Sequence, residues 1–231
     1  MEKINVVTGG SSGLGKAIVS ELLNKGLNVC IVSRNDTKIA EAIKEFPKGQ
    51  TTVISYAGDV CDEAFVTHLF SDLKKKDYYV DYLYNNAGIA VYGEAKDMNL
   101  SKIRRAFDTN AIGALLMAYE ACRYMNESGG TIINVASTAA LRGNPKETLY
   151  CATKWALRGF TEAMKVEFKG KNIHIIGAYP GAMNTPFWTD DCGLVLNITN
   201  WMDPTEVASV IVNCALNKKT ISVGDVTFER K

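Results

Sequence analysis

The chain alternates short β-branched and aliphatic runs with stretches whose apolar positions recur every three or four residues. INVVT (4–8) reads as a buried strand, and KAIVSELLNKG (16–26) as an amphipathic helix ending at Gly26. LNVCIVS (27–33) predicts a second strand and TKIAEAIKEF (37–46) a second helix, stopped by Pro47. TTVISYAGDV (51–60) holds a third strand, EAFVTHLFSDLKKK (63–76) a third helix, and YVDYLYNNAG (79–88) a fourth strand with its exit loop. One long helix is expected from about Leu100 to Asn126, followed by the strand TIINVAS (131–137). A second long helix runs from about Lys146 to Lys169 into the strand NIHIIGAY (172–179). The chain is then irregular to about Asp203, before the helix PTEVASVIVNCAL (204–216) and a last strand near ISVGDVTF (221–228). Strands separated by helices imply right-handed crossovers and a parallel sheet covered on both faces. The expectation is an α/β, doubly wound single domain of about seven strands, with no repeat or linker.

Composition narrows the class. With 231 residues, 47% hydrophobic and 22% charged, the chain can fill one core. A formal net charge of +1 gives no general attraction to nucleic acid or anionic membrane. No apolar run reaches the roughly 18 residues of a membrane span, and the strand-like start MEKINVVTGG leaves no room for a secretory signal. The six cysteines contain no C-x-x-C pair, so a reduced, cytoplasmic setting is expected. His68 and His174 are the only histidines, and no metal is expected.

Between the first strand and first helix lies GGSSGLGKA (9–17). Backbone N–H groups and the helix dipole favour an anion there. A P-loop would need a Ser or Thr after the lysine to ligate Mg²⁺, and the chain has Ala17. The usual dinucleotide pattern G-x-G-x-x-G also fails, because Ile18 occupies the third glycine position. Read as TGGSSGLG (8–15), the loop is T-G-x-x-x-G-x-G. It is followed in order by Gly58-Asp59-Val60, Asn85-Asn86-Ala87-Gly88, Asn110, Ser137, Tyr150-Cys151-Ala152-Thr153-Lys154, Pro180-Gly181 and Thr185. This ordered set resembles the short-chain dehydrogenase/reductase family over nearly the whole chain.

The resemblance implies a Rossmann fold binding a nicotinamide dinucleotide. Gly9 would permit the tight turn, Gly13 would admit the pyrophosphate, and Gly15 would allow close helix packing, with Ser11, Ser12 and Leu14 completing the loop. Lys16 then reads as a first-turn helix residue rather than a phosphate clamp. Asp59 and Val60 would border the adenine, although Asp59 reads equally well as a helix N-cap. Asn86, Ala87 and Gly88 would brace the central strand beside the cofactor. After the second strand, Ser33 stands where an NAD-selective acid is expected, and Arg34 offers a planar fork to a 2′-phosphate. NADP(H) is therefore expected over NAD. A solvated Arg34 is the bland alternative, and Asp36 is expected to cap the second helix.

Tyr150 and Lys154 are one helical turn apart, and Ser137 ends the preceding strand. By the resemblance, Tyr150 is the general acid–base, Ser137 hydrogen-bonds the substrate oxygen, and Lys154 holds the ribose and lowers the Tyr150 pKa. Asn110 would order a relay water through its backbone, and Pro180, Gly181 and Thr185 would flank the carboxamide. Cys151 reads as packing. Leu141, Phe187, Trp188 and Trp201 are candidates for an apolar substrate wall, and no cationic cluster stands out in the segments around it. The reaction implied is interconversion of a carbonyl and an alcohol. The alternative is a non-catalytic NADP-binding sensor or scaffold on the same fold. The last strand is followed only by three residues, Glu229-Arg230-Lys231, without the glycine-rich tail common in tetrameric members; a homodimer or homotetramer is still expected from the two long helices.

Overall fold

One row of side chains crosses the sheet in register: Ile31, Val7, Tyr84, Ile133 and Ile176. The adjacent row is Cys30, Val6, Leu83, Ile132 and Ile175. Successive residues of a strand point to opposite faces, so the two rows supply two separate cores. These features come from a computed structural model that describes residues 1–125, 129–188, 192, 197–216 and 221–231. Its strands are β1 (Glu2–Thr8), β2 (Val29–Ser33), β3 (Val53–Ala57), β4 (Tyr78–Asn85), β5 (Gly130–Val135), β6 (Ile173–Pro180) and β7 (Asp225–Phe228). They form a seven-stranded, all-parallel sheet in the order β3-β2-β1-β4-β5-β6-β7, a doubly wound Rossmann fold.

Helices α1 (Gly13–Asn24), α2 (Asp36–Glu45) and α7 (Pro204–Leu216) cover the Val7 row through Ile18, Leu22, Ile39, Val207 and Ile211. Helices α3 (Glu63–Lys75), α5 (Gly113–Met125) and α6 (Thr148–Glu167) cover the Val6 row through Leu69, Phe70, Met117 and Met164. Among the described residues no helix is long and apolar enough to cross a membrane.

The expected long helix over 100–126 is two helices, α4 (Leu100–Phe107) and α5, joined by a π-helical turn at Asp108–Ile112. The wide turn carries Asn110, whose amide reaches segments distant in sequence. Its Oδ1 accepts from the Ile89 N–H at 2.7 Å, and its Nδ2 donates to the Ile89 carbonyl and to Thr153 Oγ1. Helical periodicity carries no trace of such partners, so pattern alone reads straight through the break.

The expected cap at Asp36 and the alternative reading of Asp59 as a cap are both corrected. Asn35 caps α2 by accepting from the Lys38 N–H, which leaves Asp36 as the first helical residue. Asp62 caps α3, whereas the Asp59 carboxylate accepts from the N–H and thiol of Cys61. Helix α1 begins three residues earlier than expected, at Gly13, because the glycine loop forms its first turn.

Candidate active site

The sheet changes winding direction between β1 and β4, and the carboxyl ends of β1, β4, β5 and β6 open there into a cavity of about 880 Å³. Open α/β sheets bind ligands at such a crevice. Gly9 and Gly13 have φ of 67° and 50°, a left-handed backbone that suits glycine. A Cβ at Gly15 would strike the Gly9 carbonyl and lie 2.6 Å from Asn86 Nδ2. The glycines therefore let α1 butt against the turn, and Gly13 and Leu14 of its first turn line the cavity, where the N–H groups of a helix start suit an anion. Gly15→Ala is expected to cost about 1–3 kcal/mol of stability by overpacking, read as a lowered thermal midpoint.

Thr8 ties this loop to the end of β4. Its Oγ1 accepts from the N–H groups of Asn86 and Ala87, both at 2.9 Å, and Asn86 Nδ2 donates to the Thr8 carbonyl. Sequence reading passed over Thr8 as a site-building residue, although it opens the T-G motif. Lys16 is paired with Glu45 at 2.7 Å and points away from a phosphate role.

Of the residues singled out from sequence, Gly9, Ser12, Gly13, Leu14 and Arg34 line one end of the cavity, with Lys38 beside them. Asn86, Ala87, Gly88, Pro180, Gly181 and Thr185 line its middle, and Ser137, Tyr150 and Lys154 its inner wall. Ser11, Gly15, Ser33, Asp59, Val60 and Asn110 are not among the lining residues. Ser11 and Ser33 share a hydroxyl–hydroxyl bond of 2.8 Å, and Val60 packs where a side chain at Gly113 would stand.

At the inner wall, Ser137 Oγ accepts from the Ala139 N–H at 3.1 Å, which leaves its own hydrogen free for another oxygen. Tyr150 is 7% exposed, with Ser137 beside its phenol. Burial raises the phenol well above its ordinary pKa, and the neighbouring Ser137 hydroxyl pulls it partly back. The expected lowering of the Tyr150 pKa by Lys154 is outweighed here by burial: the ammonium lies 5.7 Å from the ring centre and donates to the Val135 carbonyl at 3.1 Å. Burial in turn lowers the Lys154 pKa to about 8.

The substrate side differs in part from expectation. Phe187, Trp188 and Trp201 line the cavity, joined by Tyr92, while Leu141 is exposed and outside the lining. Arg105, Arg142 and Arg230 also line it, together with Glu147 and Glu229, so charges do gather at its mouth. Arg105 comes from α4 and Arg230 from beyond β7, which is why no local segment showed them; Arg142 is paired with Glu229 at 3.6 Å. Pairing of β6 with β7 sets Phe228 beside Pro180 and so brings the C-terminal residues to the rim. Among the described residues no group of His, Cys, Asp and Glu could hold a metal.

The model of the short chain dehydrogenase family matches residues 3–191. The chain belongs to that family. A 3-ketodihydrosphingosine reductase of Bos taurus is 32% identical over 224 residues, covering 91% of this chain and 68% of the relative. An uncharacterized oxidoreductase of Staphylococcus saprophyticus is 28% identical, covering 98% of this chain and 96% of the relative. The structure of an alcohol dehydrogenase from Thermococcus sibiricus, complexed with 5-hydroxy-NADP, superposes with a TM-score of 0.89 at 20% identity, covering 100% and 97% of the two chains. The protein is thus an oxidoreductase of the short-chain dehydrogenase class, with reductases among its relatives.

Proposed function

We propose that this chain reduces a ketone or aldehyde to an alcohol, with Tyr150 as the proton donor and NADPH as the cofactor. The observation that carries the reading is the meeting of Ser137, Tyr150 and Lys154 on one wall of the cavity, beside the glycine loop and Thr185. When bound, NADPH would supply a hydride to the carbonyl carbon. Tyr150 gives its phenolic proton to the carbonyl oxygen, so that a C–H and an O–H bond form as the C=O π bond breaks. The Ser137 hydroxyl, oriented by Ala139, donates to the same oxygen as its charge grows. The Lys154 ammonium favours the phenolate that Tyr150 becomes, and the phenol is recharged from solvent. Because the Asn110 side chain is committed to Ile89 and Thr153, its backbone is the part left to order a relay water.

A dinucleotide fits the residues present: the left-handed glycines, the free helix start and the clearance at Gly88 all lie along one crevice. The choice of NADP(H) is supported by Arg34 and Lys38, which line the cavity along with the glycine loop, and by Ser33 in place of an acid after β2. Arg34→Ala is expected to raise the NADPH dissociation constant about 10–100-fold, the loss of one or two charge-assisted hydrogen bonds, and to leave NADH binding nearly unchanged. Calorimetric titration with both nucleotides measures this; equal losses would remove the cofactor assignment. Exposed Ile112 and Tyr119 on the α5 side, with Trp155 on α6, support pairing of two copies through these helices. A carbonyl panel followed by NADPH absorbance tests the reaction itself.

A further inference from the structure

Beside Tyr150 four further rings, Tyr92, Phe187, Trp188 and Trp201, line the cavity. Tyr92 and Trp188 lie nearly parallel, with centres 5.4 Å apart and planes at 14°. Three rings stand edge-on to this pair. Trp201 meets Trp188 at 4.8 Å and 84°, Phe187 meets Trp188 at 5.4 Å and 80°, and Tyr150 meets Tyr92 at 5.2 Å and 71°. Tyr150 also faces Phe187 at 6.0 Å and 61°. Tyr92 is 4% exposed, and its hydroxyl has no hydrogen-bond partner among the described residues. The ring is held by its face against Trp188 and its edge contact with Tyr150.

From this geometry we infer that the substrate is a ketone carried on a flat aromatic ring system, gripped by stacking on Trp188 and edge contact with Phe187 and Trp201. The inference deepens the carbonyl reading above and rests on it. Aromatic pairs gain from offset and edge-to-face contact beyond the area they bury, and a saturated skeleton gains only the area. The rings brace one another, so the aromatic wall that bounds this slot is formed before the substrate enters. A rigid flat ligand loses little internal freedom on entering it, whereas an open acyl chain must freeze its rotors. Tyr150 forms one side of the slot, which sets a ring-borne carbonyl beside the phenol and Ser137.

The test compares 2-tetralone with trans-2-decalone, which share a fused two-ring ketone skeleton and differ in one aromatic ring. With NADPH, kcat/KM for 2-tetralone is expected to exceed that for the decalone at least about tenfold, from two aromatic walls acting together. Trp188→Leu and Phe187→Leu should each shrink that ratio several-fold, with thermal unfolding checking that the variants are folded. Equal kcat/KM for the two ketones, or a ratio unchanged in both variants, overturns the slot while leaving carbonyl reduction intact. A parallel calorimetric titration of the NADPH complex uses the unreactive pair 2-naphthol and trans-2-decalol. Tighter naphthol binding without turnover of either ketone keeps the slot and removes the carbonyl reading. Equal binding with no turnover removes the slot as well.

Discussion

Tyr150→Phe is expected to lower kcat for the proposed carbonyl reduction by about 10²–10⁴-fold, the usual worth of a positioned general acid, and to leave NADPH affinity unchanged. The phenyl ring keeps its edge contact with Tyr92 and its packing against Phe187, so the slot and the fold survive the change. What disappears is the phenolic hydroxyl beside Ser137, the proposed proton donor. Steady-state rates on a reducible ketone, with fluorescence titration of NADPH for binding, measure both halves. Full activity in the variant would move the proton donor elsewhere. A parent protein that binds NADPH and turns over no carbonyl would make this a binding protein instead.

Lys154→Met is expected to make the protein more stable and less active. The ammonium is 4% exposed and its hydrogen bond is to the neutral Val135 carbonyl, so no carboxylate offsets its burial. Its pKa falls from 10.5 to about 8 on folding. Below about pH 8 both the folded and unfolded chains carry this proton, and the cost of the buried charge is present in full. Between about 8 and 10.5 the unfolded chain binds more protons than the folded one, so stability rises with pH across that window. Each tenfold loss of proton affinity on folding corresponds to about 1.4 kcal/mol. After subtracting the cost of leaving the Val135 carbonyl unpaired, the substitution is expected to add about 1–3 kcal/mol at pH 7. Urea unfolding at pH 7 and pH 10 measures it; the gap between variant and parent should narrow at the higher pH. A destabilised variant at pH 7 would show that the lysine is better solvated than its surroundings indicate. In turnover, kcat/KM of the parent should fall as pH rises through about 8, where the ammonium beside the phenol is lost.

Both effects separate what is local in the chain from what is not. Apolar periodicity and glycine placement are local, so the strand and helix order, the parallel sheet and the loop over 8–15 were legible along the chain. Spacing placed Tyr150 and Lys154 on one helical face, the ordered motifs marked Ser137, and the exit of the second strand marked Arg34. The turn at Asp108–Ile112 was not legible, because the amide partners of Asn110 lie 21 and 43 residues away. Nor were Arg105 and Arg230, which reach the same rim from α4 and from beyond β7. The caps went astray by one and three residues, since neighbouring Asn and Asp side chains compete for the same N–H groups and geometry picks the winner.

By itself the sequence determined the architecture and the chemical parts, because hydrophobic period, glycine conformation and residue type act over a few positions. Only the tertiary structure decided the electrostatic state of those parts and the shape they enclose. Burial reversed the expected balance on Tyr150 and lowered Lys154. The strand order brought Tyr92 and Trp188 face to face across almost a hundred residues. A pKa and a ring contact depend on which distant atoms replace water, and that is a property of packing rather than of spacing.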